Sequence, residues 1–414
     1  MSFFSTPLSG LSASSASLKA ISNNLANMNT DGYKAQTADF SDVFYQNYGT
    51  SGSGDPIQSG LGVQVNGTTS DLSNGAISAT GVSSNLALDG SGYFVTSDST
   101  GALSYTRAGD FTTNTSGQLV TLGGDQVMGY PAVGGVINNS APLQALNVGA
   151  GTTAPANSTT TFSLTANLDS TTAIGSTTTP SNITLYDSLG AAHLLTVSYT
   201  KTGDNAWSYT ATVPSTDIKN GTGTTTTVGS GSLNFDTTGA LTSTSAIANL
   251  SIGPLADGAG TMAPTWNLAN SSGTGLITQT ASKANTSATT QNGYAAGTLA
   301  NFNVLSDGTV EATFTNGQNR AIGQVAVANF ANPEGLSLQG SNQYAVTSAS
   351  GAAVIGVAGT GGRGVIDGSK VEASNVDVAT EFANMIVAQR AYEANAKAIT
   401  AFDQVEQATI AMKS

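Results

Sequence analysis

The sequence predicts an α+β protein in which long N- and C-terminal coiled-coil-like helices flank two mainly antiparallel β domains, the second inserted in the first. Three observations predict this. Apolar residues recur at seven-residue spacing at the two ends only, they alternate with Ser and Thr through the interior, and Gly-containing turns punctuate that interior.

Taken in order, the N-terminal stretch carries Leu11, Leu18 and Leu25 in one row and Ser14, Ile21 and Met28 in a second. This 4-3 spacing is that of a helix lying along another helix. Lys19 is the one charge between Leu11 and Met28, and Thr30-Asp31-Gly32 ends the segment, with Gly32 suited to a C-terminal cap. Residues 1–34 are therefore an expected assembly helix and 35–72 a linker, whose run from Tyr48 to Gly60 is rich in turn formers.

The interior reads as strands. Leu195, Val197 and Tyr199 alternate with hydroxyl residues, a Lys201–Asn205 loop follows, and Trp207, Tyr209, Ala211 and Val213 resume the alternation. That is a hairpin with one apolar face. Val310, Ala312 and Phe314 lead into Asn316-Gly317, a hairpin turn signal, before Val325 and Val327. No helical pattern separates the strands, so antiparallel sheets are expected rather than βαβ units. Ser/Thr/Asn-rich stretches at 152–160 and 281–292 bracket an inserted outer domain at 151–291, within a discontinuous core at 73–150 and 292–371.

Residues 372–414 form the second assembly helix. Ser374-Asn-Val-Asp377 resembles a capping box, and Val378, Phe382, Met385, Gln389, Tyr392, Ala396 and Ile399 keep 4-3 spacing. The stripe then drifts through Phe402, Val405 and Met412, as a 3.6-residue period drifts against a heptad. No Gly or Pro interrupts Ser374–Ser414 in a chain with 49 glycines.

Composition excludes several functions. Only 9% of residues are charged, against about 25% usually, and the net charge of −13 leaves no footprint for nucleic acid or an anionic membrane surface. There is no Cys, so neither a disulfide nor a thiol nucleophile exists. No apolar run is long enough to span a bilayer, and Met1–Gly10 lacks the basic and apolar regions of a cleaved signal. An extracellular destination would need another export route.

No catalytic, cofactor-binding or metal residues are expected. His193 is the single His and reads as structural. The Gly-rich runs Asp89–Gly92 and Gly359–Gly364 lack a phosphate-loop Lys-Ser/Thr and read as turns. No Gly-x-Ser-x-Gly elbow has a His partner.

The ends call for partners. A helix of about 20 residues is marginal alone in water, and the N-terminal one lacks the charged face of a helix exposed on a monomer. Both ends are thus expected to be frayed in the monomer and ordered against neighbours, with Asn23, Asn24 and Asn27 hydrogen bonding between subunits. Heterologous self-contact of this kind generates an open helical polymer.

The same residues carry a family resemblance. Ser22–Asn27 with Thr30–Lys34, and Ala373–Asp377 with Met385–Asn395, resemble the terminal motifs of the flagellar rod, hook and hook-associated axial proteins. Thr80–Phe94 and Tyr105–Phe111 are similar to their shared core domain, and Leu185–Gly190 and Leu233–Leu241 to segments typical of hook subunits. The resemblance implies a structural subunit of a curved tube that joins rod to filament, passes motor torque, and leaves the cell through the type III export apparatus without a cleaved signal. It implies a homopolymer contacting rod, hook cap and hook–filament junction proteins. Its assembly residues would be Leu11, Leu18, Ile21, Asn23, Asn24, Leu25, Asn27, Met28, Gly32 and Tyr33 at one end. At the other they would be Asn375, Val378, Phe382, Met385, Gln389, Tyr392, Asn395, Ile399 and Phe402. The alternatives are a distal rod or hook–filament junction protein, or, from another class, a surface adhesin or phage tail component.

Overall fold

The computed structural model describes residues 5–50, 56–149, 152–248 and 250–413. Residues 1–4 of the expected first helix and 51–55 of the turn-rich run lie outside the described residues. Two α-helices, α1 (Ser5–Ala26) and α2 (Val378–Lys413), stand at the ends of a chain that is otherwise mostly strands. The chain forms two compact units, one of Met1–Ala150, Asn301–Ala312 and Asn319–Ser414, the other of Gly151–Ala300 with Thr313–Gln318.

In the first unit, the strand Tyr93–Ser97 pairs antiparallel with Leu103–Thr106, Gln126–Val133 and Asn319–Asn329, with Val327 opposite Phe94. Leu88, Phe94, Phe111, Val127, Val325 and Ile366 pack into one apolar cluster on this framework. Phe94 and Phe111 meet edge to face at 5.2 Å. Two shorter ladders tie the C-terminal approach to the core: Leu86–Asp89 with Val365–Gly368, and Ile77–Ala79 with Lys370–Glu372.

The stretch expected as a linker is structured. Gln36–Asp42 pairs antiparallel with Val63–Ser70, and Tyr45–Thr50 with Pro56–Gly60. Half-buried Ala38 and Val63 give the strands a side to pack, and α1 lies against both Gln36–Asp42 and Val63–Ser70.

Both helix ends also differ in detail from expectation. α1 stops at Ala26, six residues before Gly32, because the Asn27 side-chain amide donates to the Asn23 carbonyl at 2.9 Å and satisfies a terminal acceptor. Gly32 instead occupies a turn with φ +69°. At α2 the cap is Asp377, not Ser374: its Oδ1 accepts the N–H groups of Ala379 at 2.9 Å and Thr380 at 3.1 Å.

In the second unit, Ser181–Tyr186, Ala192–Gly203, Ala206–Pro214 and Thr225–Asn234 form a four-stranded antiparallel sheet. The expected hairpin is present with Tyr199 opposite Tyr209, but pairing runs on to Gly203 opposite Ala206, so the turn is tighter than Lys201–Asn205. A second sheet is mixed: Thr161–Asp169 pairs parallel with Thr265–Asn267 and Ile277–Thr280, and antiparallel with Asn285–Gln291. The polar stretch 281–292 is therefore largely a strand, since its hydroxyls and amides form cross-strand bonds such as Thr290 to Ser163 at 2.6 Å. Trp207, Trp266, Phe162, Tyr199 and Tyr209 fill the core of this unit, and the Trp207 indole N–H donates to Gln279 Oε1 at 2.6 Å.

Candidate assembly surface

α1 and α2 pack on each other and run antiparallel. Asn24 near the end of α1 meets Glu381 at the start of α2 at 3.1 Å, while a Cβ added to Gly10 would stand 2.8 Å from the Asn395 amide. Along this stretch each helix has the other as a partner within the chain. Small α1 residues (Gly10, Ala13, Ser14, Ser17, Ala20) let α2 approach closely.

That small-residue face is also narrow, and it divides the sequence-derived stripes. On α1, Ser14, Ile21 and Asn24 are buried and Leu11, Leu18 and Leu25 half-buried, while Asn23, and Met28 in the turn after the helix, are exposed. On α2, Ala388 is buried and Met385, Asn395 and Ile399 are half-buried. Val378, Phe382, Gln389, Tyr392 and Phe402 remain exposed, Phe382 at 49%. A groove of ≈ 410 Å³ opens between α1, α2 and the strand Gln36–Asp42, lined by Ile21, Phe40, Glu381 and Val387 among others.

The helices are unequal. α2 has 36 residues and α1 22, about 54 Å against about 33 Å at ~1.5 Å per residue. From Thr400 to Met412 every α2 residue is exposed, including Val405 at 63%, Ile410 at 64% and Met412 at 83%. These three apolar side chains stand exposed among the polar Asp403, Gln404, Glu406, Gln407 and Thr409.

Where the helices join the β core, a charged cluster lies buried. Glu372, fully inaccessible, accepts Lys34 Nζ at 2.6 Å on Oε1 and lies 3.5 Å from Arg107 Nη1 through Oε2. The Gly75 N–H adds 2.9 Å to Oε1, Lys34 also donates to Ser73 O at 2.6 Å, and Arg107 to Leu88 O at 3.0 Å and Gly90 O at 2.6 Å. Every ion thus has further hydrogen bonds, as buried charges require. Burial pushes the Lys34 ammonium below the usual lysine range, against the opposing pull of Glu372.

Amides complete the junction. Asn24 Oδ1 accepts Tyr33 Oη at 3.0 Å and Gln36 N–H at 2.8 Å, and its Nδ2 donates to Gln36 O at 2.8 Å and to Glu381. Asn375 Oδ1 accepts the Ala35 N–H at 2.8 Å, and its Nδ2 donates to Asp71 O at 2.9 Å. Asn23 donates to Tyr33 Oη at 3.3 Å and Asn27 back to Asn23. These Asn contacts lie within the chain. They clamp the N-terminal helix to the turn that follows it.

Sequence reasoning missed the ion cluster. The signal was available: in a chain with so few charges, Lys34 and Arg107 each sit inside a segment singled out above, Thr30–Lys34 and Tyr105–Phe111, and Glu372 immediately precedes Ala373–Asp377. The structure joins those three segments at one carboxylate.

Comparison with known proteins follows the same segments. Residues 4–34 match the family described as flagella basal body rod protein, and 368–412 the flagellar basal body rod FlgEFG protein C-terminal family. Residues 87–184 match the flagellar hook protein FlgE/F/G D1 domain, and 157–294 the flagellar basal body protein FlaE D2 domain. Paired terminal helices clamped to a β core, with these matches at both ends, define a flagellar axial protein. The chain is 38% identical to the flagellar hook protein FlgE of Salmonella typhimurium over 97% of this chain and 98% of that one. It is 36% identical to that of Escherichia coli K12 over 97% and 98%, and 31% identical to that of Treponema pallidum over 98% of each. The chain belongs to the flagellar hook protein FlgE family and is a structural subunit of the flagellar hook.

Proposed function

We propose that this subunit polymerises through its terminal helices into a curved, flexible tube that joins rod to filament and transmits motor torque, and that it catalyses no reaction. The single observation that carries the reading is the C-terminal run of α2, whose Val405, Ile410 and Met412 are exposed and lie past the described residues of α1. In a polymer, an α1 or α2 of another subunit would extend the helix pair into a longer coiled-coil-like seam. The exposed Phe382 and Val387 offer a second row on the same helix, so that each subunit meets neighbours through two different surfaces, the condition for an open helical array.

The assembly residues divide by role in this reading. Asn24, Gly32, Tyr33 and Asn375 set the angle at which the helices leave the β core. Val378, Phe382, Gln389, Tyr392 and Phe402 face other subunits, and Leu11, Leu18, Ile21, Leu25, Met385, Asn395 and Ile399 hold the pair together. The Ser/Thr/Asn-rich β surfaces would make weak hydrogen bonds that exchange as the tube turns. Contacts with rod, cap and junction proteins, and export through the type III apparatus without a cleaved signal, belong to the same reading; among the described residues no helix is long and apolar enough to cross a membrane. Electron microscopy of flagellar bases from cells making this chain tests it. Short curved tubes are expected, and a straight rod or no polymer would count against it.

A further inference from the structure

The single histidine does more than fill space in the second unit. His193 is buried at the start of the strand Ala192–Gly203, with one carboxylate on each ring nitrogen: Asp217 Oδ2 lies 3.0 Å from Nδ1 and Asp187 Oδ2 lies 3.1 Å from Nε2. A third carboxylate, Asp257, comes from a separate loop, and one ligand atom each from Asp187, His193 and Asp257 lie within 4.8 Å of one another. We propose that Asp187, His193 and Asp257 form a binding site for a first-row transition-metal dication.

Three features support a cation. First, the donor atoms are gathered and aimed. Asp187 is fully inaccessible, and its Oδ1 is held by the N–H groups of Leu189 at 2.8 Å and Ala191 at 2.9 Å, which leaves Oδ2 directed toward His193. Tetrahedral ligands at about 2.0–2.2 Å from such an ion stand about 3.3–3.6 Å from one another, so the three donor atoms, within 4.8 Å of one another, draw together when the ion binds.

Second, the imidazole is oriented as a ligand. With Nδ1–H donating to Asp217, the neutral ring presents its Nε2 lone pair to Asp187 and Asp257, and a carboxylate behind a metal-bound histidine is the usual device that fixes this tautomer and strengthens the nitrogen as a donor. Asp217 is then a positioning residue rather than a ligand.

Third, charge balance calls for more than a proton. A protonated His193 satisfies Asp187 and Asp217 as an ion triad, yet one imidazolium among three carboxylates leaves two negative charges, and Asp257 still faces Asp187. Two carboxylates this close are relieved either by a proton held between them, as in the hydrogen bond between Asp187 and Asp257, or by a cation. A dication exchanged for the imidazole proton lowers that excess from two negative charges to one. Imidazole nitrogen favours zinc-like ions over Mg²⁺ and Ca²⁺. The metal would tie together residues from 187, 193 and 257, a cross-link in a protein with no cysteine.

The test uses the tag-free full-length chain, stripped with chelator, near neutral pH. Because the chain has one histidine, its NMR spectrum has one imidazole to follow. On adding Zn²⁺, the Nε2 resonance should move to a metal-bound position with one equivalent, Co²⁺ should give a visible ligand-field band at the same stoichiometry, and the melting temperature should rise. Asp257→Asn, at an exposed position where the amide oxygen can still accept the Ala259 N–H, should abolish these changes. Asp217→Asn should weaken the affinity by about 10–100-fold, the range for loss of a supporting carboxylate. Asp236→Asn, in an exposed turn elsewhere in the unit, should change nothing. An imidazole unmoved by Zn²⁺, or a response of equal affinity in Asp257→Asn, would overturn the proposal and leave His193 as a buried ion triad.

Discussion

Glu372 and Lys34 stand 338 residues apart in the sequence and 2.6 Å apart in the fold. One carboxylate ties the turn after α1 to the segment that leads into α2, and through Arg107 ties both to the β core. The position of the two assembly helices therefore rests on a charge pair that is buried and fully hydrogen-bonded.

Removing one partner should expose that dependence. Glu372→Ala leaves Lys34 and Arg107 buried without their counter-charge, and breaking such a pair costs about 3–5 kcal/mol. Urea unfolding followed by circular dichroism should show a loss in that range, and hydrogen exchange should quicken in Gln36–Asp42 and at the start of α2. A loss below about 1 kcal/mol, the scale of a surface pair, would show that the cluster does not hold the junction.

Gly32 should tolerate no side chain. Its φ is +69°, and a Cβ there would lie 2.4 Å from the Ala108 backbone nitrogen. Backbone strain at a left-handed position costs about 1–3 kcal/mol, and the steric conflict is with main chain that cannot swing aside. Gly32→Ala should lower the melting temperature measurably, whereas Gly124→Ala, also at positive φ but with open space around its Cβ, should cost less.

Asn24→Leu should uncouple α1 while leaving the second unit untouched. The change strands the Gln36 N–H and the Glu381 carboxylate, each at about 1–3 kcal/mol for an unsatisfied buried group. Limited proteolysis should then cut between α1 and Gln36 faster than in the parent chain. The Trp207 and Trp266 fluorescence, which reports the second unit, should stay the same.

The metal-free second unit should be most stable at mildly acidic pH. Burial opposes the charge on His193, but hydrogen bonds and charges from Asp217 and Asp187 outweigh it and raise the pKa above 6.5. A raised imidazole contributes stability that is complete below about 6.5 and fades as pH climbs through the higher folded value. Asp187 is the reverse. Burial would raise its pKa, yet hydrogen bonds with Asp257, His193 and the Ala191 and Leu189 N–H groups hold it below 3.8, so its contribution is present above that value and lost as pH falls through the folded one. Tryptophan-monitored unfolding across pH should peak between those limits, and His193→Asn should flatten the decline on the alkaline side.

Much of this architecture was legible in the sequence, for physical reasons that also explain the gaps. Heptad spacing located both helices because a helix with one packed face must repeat near 3.5 residues, and alternation located the Tyr199–Tyr209 ladder because a strand with one buried face must alternate. Burial on the other hand depends on the partner. The small residues of α1 cover only a narrow strip, so Met385 and Ile399 turn inward while Phe382, in the same stripe, stays exposed. Polar strands such as Asn285–Gln291 carry no apolar signal, since their pairing is by hydroxyls and backbone. Asn24 and Asn375 carry no local mark of their partners: Asn24 bonds Gln36 twelve residues on and Glu381 357 residues on, and Asn375 bonds Ala35 and Asp71, 340 and 304 residues away. The Lys34–Glu372–Arg107 cluster is of the same kind: charge type can be read locally, but pairing at such separation cannot.

The central claim is that the overhang of α2 is the contact between subunits, and Val405 tests it most directly. It is 63% exposed and lies past the described residues of α1, so Val405→Asp should leave the circular dichroism and melting of the subunit unchanged. Electron microscopy of cells carrying this substitution should then show flagellar bases without hooks and the subunit secreted unassembled. Hooks of normal length and curvature in that strain would contradict the account.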